Sequence, residues 1–176
     1  SGAIRTTVDA PLTALDGSTW CYAFTRDQWV AGGAINSGNI ALSWLRREFG
    51  QQYVEHAIPG EPLSKAMDRL ASTVPAGSDG LIFLPYLLGE RCPDWNANAR
   101  GMMAGLDFNH TRAHLVRALM EGVLYRLSTV DDALSVLAGG GGVLRASGGY
   151  AQSGFWLQMQ ADLFGRAVQV SEVTEA

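Results

Sequence analysis

The chain of 176 residues is 47% hydrophobic and 17% charged, and it carries a net charge of −4. This length suits one domain with a single core, and the composition is typical of a globular protein. No run of basic residues is present, so we expect no nucleic-acid partner. The longest uncharged stretch, Val30–Leu45, contains three glycines and several polar residues, so we expect no membrane span.

Three short strands are predicted at the start of the chain, because polar and apolar residues alternate or aromatic residues cluster there. They are Ala3–Val8, Trp20–Phe24 and Trp29–Ala31. Short turns separate them, one of them at Asp16–Ser18, so we expect an antiparallel meander. The glycine-containing segment Gly32–Asn39 is predicted to be a loop that leaves the third strand.

Two helices and a strand are predicted next. Apolar residues recur at helical spacing over Ile40–Phe49, and Gly50 is predicted to end this helix. A second helix is predicted over Glu61–Val74 for the same reason. The apolar run Leu81–Leu88 is predicted to be a buried strand that ends or bulges at Pro85, because proline cannot donate to a strand ladder.

A long loop over Gly89–Arg100 and a short strand over Met102–Leu106 precede the longest predicted helix. That helix covers Thr111–Leu137, where an almost unbroken apolar stripe recurs every three or four residues. The four glycines at 139–142 are predicted to end it. Its carboxylates, Glu121 among them, are expected to face solvent or to cap local donors.

A strand over Val143–Ser147, a helix over Gln152–Phe164 and a strand over Ala167–Val170 complete the pattern. Alternating helices and strands predict an α/β domain with a mixed sheet flanked by helices. The chain stops directly after a strand, where a further helix would be expected, and we expect a domain that is truncated at both ends.

Two cysteines and three histidines are present. Cys21 and Cys92 lie in different sequence contexts, so we expect two reduced thiols in a cytoplasmic protein. His110 and His114 show no metal-ligand spacing and are expected at the surface near a helix start. We therefore predict no metal site within this chain.

The segment Ser147–Ser153 leads from a strand through Gly148 and Gly149 into a helix. Residues without side chains let a ligand approach the backbone closely, and the N–H groups at a helix start attract anions. The pattern fits nucleotide binding, although it matches neither of the two standard glycine-rich nucleotide motifs. The alternative is a tight strand-to-helix turn without a ligand.

A second polar loop, Asn36–Asn39, precedes the first predicted helix. Its glycine, Gly38, stands where an anion could meet the N–H groups of the helix start. The alternative is that Ser37 or Asn39 caps the helix through its side chain.

A third polar segment is the loop Gly89–Asn96, which contains Glu90, Arg91 and Asp94, with Arg100 behind it. Acids and arginines in one loop fit acid–base or phosphate chemistry. The alternative is a structural loop, held by Glu–Arg pairs and by burial of Trp95.

Several segments follow one another in a familiar order. Gly101–Leu106 is followed, after seven residues, by His114–Glu121, and the loop Gly89–Asn96 precedes both. Together with the run Ser147–Asp162, this order resembles the FGGY family of carbohydrate kinases. Gly101–Leu106 with His114–Glu121 is similar to the second signature of the family, and the loop Gly89–Asn96 to its GERxPxW pattern. The run Ser147–Asp162 is similar to its adenosine-binding strand, turn and helix. Ser1–Thr6 and Trp29–Gly38 are most similar to the gluconate kinases of that family.

The resemblance implies an actin-like, ribonuclease-H-like ATPase fold, with residues 1–176 as the incomplete C-terminal, nucleotide-binding domain. It implies ATP with Mg²⁺ as cofactors and transfer of the γ-phosphate to a hydroxyl of gluconate, giving 6-phosphogluconate. Gly149, with Gly148 beside it, would contact the adenosine, Ser153 would lie beside the base, and Gly38 would lie near the terminal phosphates. The catalytic aspartate and the N-terminal sugar-binding domain would lie outside this chain.

Three alternatives remain for the activity. In the first, the parent enzyme would act on another polyol or ketose, such as xylulose or glycerol. In the second, the chain would be a non-enzymatic, actin-like nucleotide-binding module. In the third, it would be a purely structural interaction domain. If the kinase interpretation is correct, we expect the isolated chain to transfer no phosphate. Surface that normally packs on the N-terminal domain would be exposed, so we also expect self-association into a homo-oligomer.

Overall fold

The computed structural model describes residues 1–12, 14–54 and 58–170, apart from the side chains of 52–54. The chain begins with a three-stranded antiparallel sheet formed by β1 (Gly2–Val8), β2 (Trp20–Ala23) and β3 (Trp29–Ile35). The strand order is β1–β3–β2, so the last strand lies in the middle. The predicted meander is therefore wrong, although the three strands and their antiparallel pairing are confirmed.

The predicted loop at Gly32–Asn39 is wrong over its first half, because β3 continues to Ile35. Gly32 pairs with Arg5 and Gly33 with Ile4 of β1. Strand periodicity is read from side chains, so two consecutive glycines conceal it. Tight packing explains these glycines, since a Cβ at Gly33 would lie 2.5 Å from Val130 of the longest helix.

Helix α1 (Asn39–Val54) continues past the end predicted at Gly50. Gly50 is buried inside the helix, and a Cβ there would lie 3.5 Å from Leu63, the first residue of α2. This glycine thus lies at a helix–helix contact, which a sequence pattern does not distinguish from a helix end. Helix α2 (Leu63–Ala71) is shorter than predicted, because it begins after Pro62, whose backbone is extended.

Two short strands, β4 (Ile82–Leu84) and β5 (Met102–Ala104), form an antiparallel pair. As predicted, β4 ends before Pro85, and the residues between the two strands form a long loop. The predicted long helix is confirmed as α3 (Arg112–Ala138), which ends at Gly139 with a φ of 77°. Strand β6 (Leu144–Ala146), helix α4 (Gly154–Phe164) and strand β7 (Val168–Val170) follow, with β6 and β7 parallel.

The core is built around α3, which contacts β1 and β3, and also β4, α2 and α4. Its fully buried side chains include Val116, Leu119, Met120, Val123, Leu124 and Val130. Burial of each such side chain contributes about 1.5–3 kcal/mol. The α/β class is confirmed, and the strands of the described segments are distributed over three small sheets, two antiparallel and one parallel. Within the residues that the structure describes, no helix has both the length and the apolar character needed to cross a membrane.

Candidate functional site

The strand-to-helix turn after β6 is the first wall of the candidate site. Gly148 has φ 88° and ψ −175°, a backbone conformation that only glycine adopts readily. Gly149–Gln152 then form one turn of 3₁₀ helix, and α4 begins at Gly154. The predicted turn is confirmed, with a 3₁₀ segment where α4 had been expected to start.

The N-terminus of α1 faces this turn from across a cleft. A Cβ added at Gly149 would meet a single neighbour, the side-chain amide of Asn39 at 3.8 Å, so the space above this glycine is open. Gly38, Gly148 and Gly149 line the same cleft, which has a volume of about 450 Å³. Three of the four predicted binding residues are thereby brought together, from segments far apart in the chain.

Gly38 has a structural role as well as its place in the cleft. A Cβ there would lie 2.5–2.7 Å from backbone atoms of Ser1 and Gly2, so only glycine lets the start of β1 pass beneath α1. The neighbouring Ser37 is fully buried, and its hydroxyl has no hydrogen-bond partner among the described residues. The alternative in which Ser37 caps α1 is therefore not what the structure shows.

The lining of the cleft fits a nucleotide. Arg5 and Arg145 contribute the cationic side chains, and no Asp or Glu lines it within the described part of the chain. Apolar residues of α3 and the Tyr150–Trp156 pair, with ring centroids 6.0 Å apart, form its apolar part. Burial raises the pKa of Tyr150, against a hydrogen bond with Gln160 that lowers it, so the tyrosine stays neutral at physiological pH. Positive charge, a helix N-terminus and an apolar wall suit a polyanion that carries an aromatic base.

Ser153, the fourth predicted residue, lies apart from the three glycines. It is the N-cap of α4, where its hydroxyl accepts a hydrogen bond of 3.0 Å from the N–H of Trp156. It lines a separate groove between α4 and α2, beside Asp68. Burial raises the pKa of Asp68, and a hydrogen bond with Ser153 partly offsets that rise. Contact of Ser153 with a base stays a prediction.

The loop Gly89–Asn96 is attached to α3 by an arginine of that helix. Arg126 of α3 donates to Asp94 at 2.6 Å and lies 3.5 Å from the carboxylate of Glu90. The expected burial of Trp95 is wrong, since this side chain is 54% exposed and donates to the carbonyl of Gly17 at 2.7 Å. The structural interpretation of this loop is confirmed in its Glu–Arg pairing, and the arginine belongs to the distant helix α3.

Glu90 positions Arg91, the next residue of the loop, through hydrogen bonds of its carboxylate. Its carboxylate accepts from the backbone N–H of Asn36 at 2.9 Å and from that of Arg91 at 2.8 Å. The loop is thus joined to the end of β3, and the guanidinium of Arg91 lies 3.4 Å from the carbonyl of Ile35. Arg91 is therefore placed beside the end of β3, the central strand, by hydrogen bonds of its neighbour.

The His114–Glu121 segment is structural in this chain. His114 takes part in the capping box of α3 with Thr111, and its other ring nitrogen lies 3.0 Å from Asp79, which confirms its place at a helix start. The expected surface position is wrong, since the side chains of His110 and His114 are only 3% and 15% exposed. Glu121 was expected to face solvent or to cap local donors, but it is buried and pairs with Arg117 at 2.6 Å. It also accepts from the N–H of Gly77 and the hydroxyl of Ser78, more than 40 residues away.

Sequence reasoning missed the two arginines of the cleft. The alternation along β1 places Arg5 on the face opposite Ile4, but it does not reveal which face lines a cleft. Arg145 follows the same rule in β6. Both cysteines are unpaired thiols, as predicted. Among the described residues, no group of three His, Cys, Asp or Glu side chains is placed to hold a metal ion.

Known proteins resemble this chain over its whole length. It is 44% identical over 178 residues to the gluconokinase of Bacillus subtilis, covering 100% of this chain and 35% of that protein. It is 31% identical over 143 residues to the xylulose kinase of the same species, covering 81% of this chain and 27% of that protein. The chain thus spans about a third of the length of the curated relatives that it matches.

The fold is also that of a solved sugar kinase. The crystal structure of gluconate kinase from Lactobacillus acidophilus superposes with a TM-score of 0.81 at 33% identity, covering 98% of this chain and 34% of that one. This likeness confirms the predicted actin-like ATPase fold. Residues 5–176 match the profile of the C-terminal domain of the FGGY family of carbohydrate kinases. The chain therefore belongs to the FGGY family of carbohydrate kinases, within its C-terminal domain.

Proposed function

We propose that this chain is the ATP-binding, C-terminal part of a longer kinase that phosphorylates gluconate to 6-phosphogluconate. The observation that carries the proposal is the convergence of Gly38, Gly148 and Gly149 on one acid-free cleft. Identity of 44% with a gluconokinase over the whole chain supports the choice of gluconate. Since the chain spans 35% of that relative, the other two thirds would supply the N-terminal domain as its partner.

The residues of the cleft suit distinct parts of the nucleotide. ATP, with Mg²⁺ on its phosphates, supplies the transferable phosphoryl group when bound. Gly148 and Gly149 would leave room for the adenosine, because no side chain stands above them. The N-terminus of α1 at Gly38 would face the phosphates, and Arg145 would offset part of their charge. Phosphoryl transfer depends on such positioning and charge neutralisation, while the base that takes the hydroxyl proton would come from the rest of the protein.

The same proposal places the protein in the cytoplasm, and the free thiols of Cys21 and Cys92 are compatible with that compartment. It also predicts that the isolated chain self-associates. The outer face of the three-stranded sheet carries exposed aromatic side chains such as Tyr22 and Phe24, 57% and 65% exposed, which no described element covers.

A coupled ADP-release assay on the longer protein, with magnesium ATP and gluconate, xylulose or glycerol in turn, tests the function. We expect turnover with gluconate and at most slow turnover with the other two. Turnover with xylulose alone would favour a xylulose kinase, a second candidate function that the 31% identity with a xylulose kinase supports. ATP binding without turnover on any of the three would favour a non-enzymatic nucleotide-binding module.

A further inference from the structure

The edge of β5 that faces away from β4 is unpaired. Among the described residues, β4 is the only strand that hydrogen-bonds to β5, and β5 has no comparable contact with any other element. Successive residues of a strand point to opposite faces, yet Met102 and Met103 are 51% and 49% exposed. Solvent therefore reaches both faces of β5 as well as its outer backbone edge.

The surface around this edge is apolar. Residues 101–106 contain no charged residue and no proline, and the pairing of β5 with β4 has no bulge. Apart from its shortness, β5 thus lacks the features that usually protect a free edge. Ile82 of β4, which pairs with Ala104, is exposed, and so are Leu106 and Phe108 after the strand. An exposed apolar surface beside an unprotected edge indicates an interaction site.

The two ends of this apolar segment carry opposite charges, with Arg100 before it and Asp107 after it. The guanidinium of Arg100 donates to two carbonyls of its own loop and has no carboxylate partner among the described residues. The exposed carboxylate of Asp107 accepts from the N–H of Asn109 at 2.8 Å. It lies 3.0 Å from Nδ1 of His110, but that nitrogen accepts from the backbone N–H of Asp107 and so has no proton to share. Both charged groups are thus open to a further partner.

The edge of β5 is complementary to a second copy of itself. Antiparallel pairing about a two-fold axis would place the start of one segment beside the end of the other. Arg100 of each copy would then lie beside the partner's Asp107, which gives two equivalent ion pairs at the ends of the contact. A stable interface buries roughly 800 Å² on each partner, more than three paired residues supply, so the exposed apolar side chains around β5 would take part.

We propose that the longer protein forms a two-fold symmetric dimer in which β5 pairs with β5 of a second copy, so that β4 and β5 of both copies form one four-stranded antiparallel sheet. Arg100 and Asp107 fix the antiparallel direction of the pairing. This surface differs from the outer face of the three-stranded sheet, through which we expect the isolated chain to associate. It also lies outside the nucleotide cleft, because no residue of 100–108 lines that cleft.

Charge reversal in the longer protein, followed by analytical ultracentrifugation, tests the proposal. For Arg100→Glu we expect the dissociation constant of the dimer to rise at least a hundredfold, because two carboxylates would then meet at each end. Arg100→Glu combined with Asp107→Lys places opposite charges together again and should restore most of the affinity. Arg26→Glu, the same change at an exposed arginine on the turn between β2 and β3, is the matched control and should leave the dimer intact.

Met103→Lys tests the strand pairing itself, since a lysine on a free edge opposes pairing. Hydrogen exchange of the amides of 101–106 should be slow in the wild-type dimer and fast in this variant. Far-UV circular dichroism and ADP affinity, which should not change in any of these variants, show that each one is folded.

Four results would overturn the proposal. A monomeric wild type would remove the dimer, and a dimer unaffected by both Arg100→Glu and Met103→Lys would place the contact elsewhere. A loss as large in Arg26→Glu as in Arg100→Glu would assign the effect to net charge. A folded double variant that stays monomeric would contradict the antiparallel arrangement.

Discussion

Substitution of Glu121 by alanine is expected to destabilise the chain by about 3–5 kcal/mol, the cost of removing one partner of a buried ion pair. The guanidinium of Arg117, 2.6 Å away and likewise buried, would lose its counter-charge. The N–H of Gly77 and the hydroxyl of Ser78 would lose their acceptor at the same time. Thermal unfolding should show a Tm lower by roughly 6–20 °C for a protein of this size.

Matched variants separate the buried pair from surface effects. Glu48→Ala removes a carboxylate from the exposed pair with Arg47 and should cost about 0–1 kcal/mol. The double substitution Arg117→Met with Glu121→Leu removes both buried charges and should recover much of the loss. A Glu121→Ala variant no less stable than Glu48→Ala would show that the network does not hold α3 to the 77–79 turn.

Substitution of Gly149 by valine is expected to weaken ADP binding at least a hundredfold while the protein remains folded. A Cβ at this position meets only the amide of Asn39, at an ordinary contact distance of 3.8 Å, so the side chain projects into the cleft rather than into the core. The ligand loses the space that the glycine leaves, whereas the chain loses no packing. Calorimetric titration with ADP, with and without Mg²⁺, measures the effect.

Gly50→Ala is the control for the general effect of adding a methyl group to a glycine. Its new Cβ would make ordinary contacts with Arg46 of α1 and Leu63 of α2, away from the cleft, so ADP affinity should not change. Gly38→Ala is a poor probe, because its Cβ would collide with the backbone of Ser1 and unsettle the sheet. If Gly149→Val bound ADP as the wild type does, the nucleotide would not lie against this glycine.

Local sequence patterns predicted most elements of the fold and failed where residues act through distant partners. The long apolar stripe of α3 and the glycines after it are local signals, and both were predicted correctly. The loop predicted to begin at Gly32 and the helix end predicted at Gly50 were wrong, because Gly33 packs against Val130 of α3 and Gly50 faces Leu63 of α2, partners that the local pattern does not reveal. Side-chain periodicity carries no information at a residue that has no side chain.

In the candidate site, too, local signals were predicted and contacts between distant segments were not. The turn at Gly148–Gly149 and the helix start at Gly38 were found separately, but only the fold shows that they face one cleft. Ser153, which follows the 3₁₀ segment and caps α4, lies on another groove. Arg91 lies beside the end of β3 because Glu90 bonds to Asn36, a contact 54 residues away in sequence.

A crystal structure of the longer protein with magnesium ADP tests most directly whether this chain carries the nucleotide site. We expect the adenosine against Gly148 and Gly149, with the phosphates directed towards Gly38 and the N-terminus of α1. Density for the nucleotide in the groove beside Asp68, or bound wholly outside residues 1–170, would contradict the assignment of this cleft.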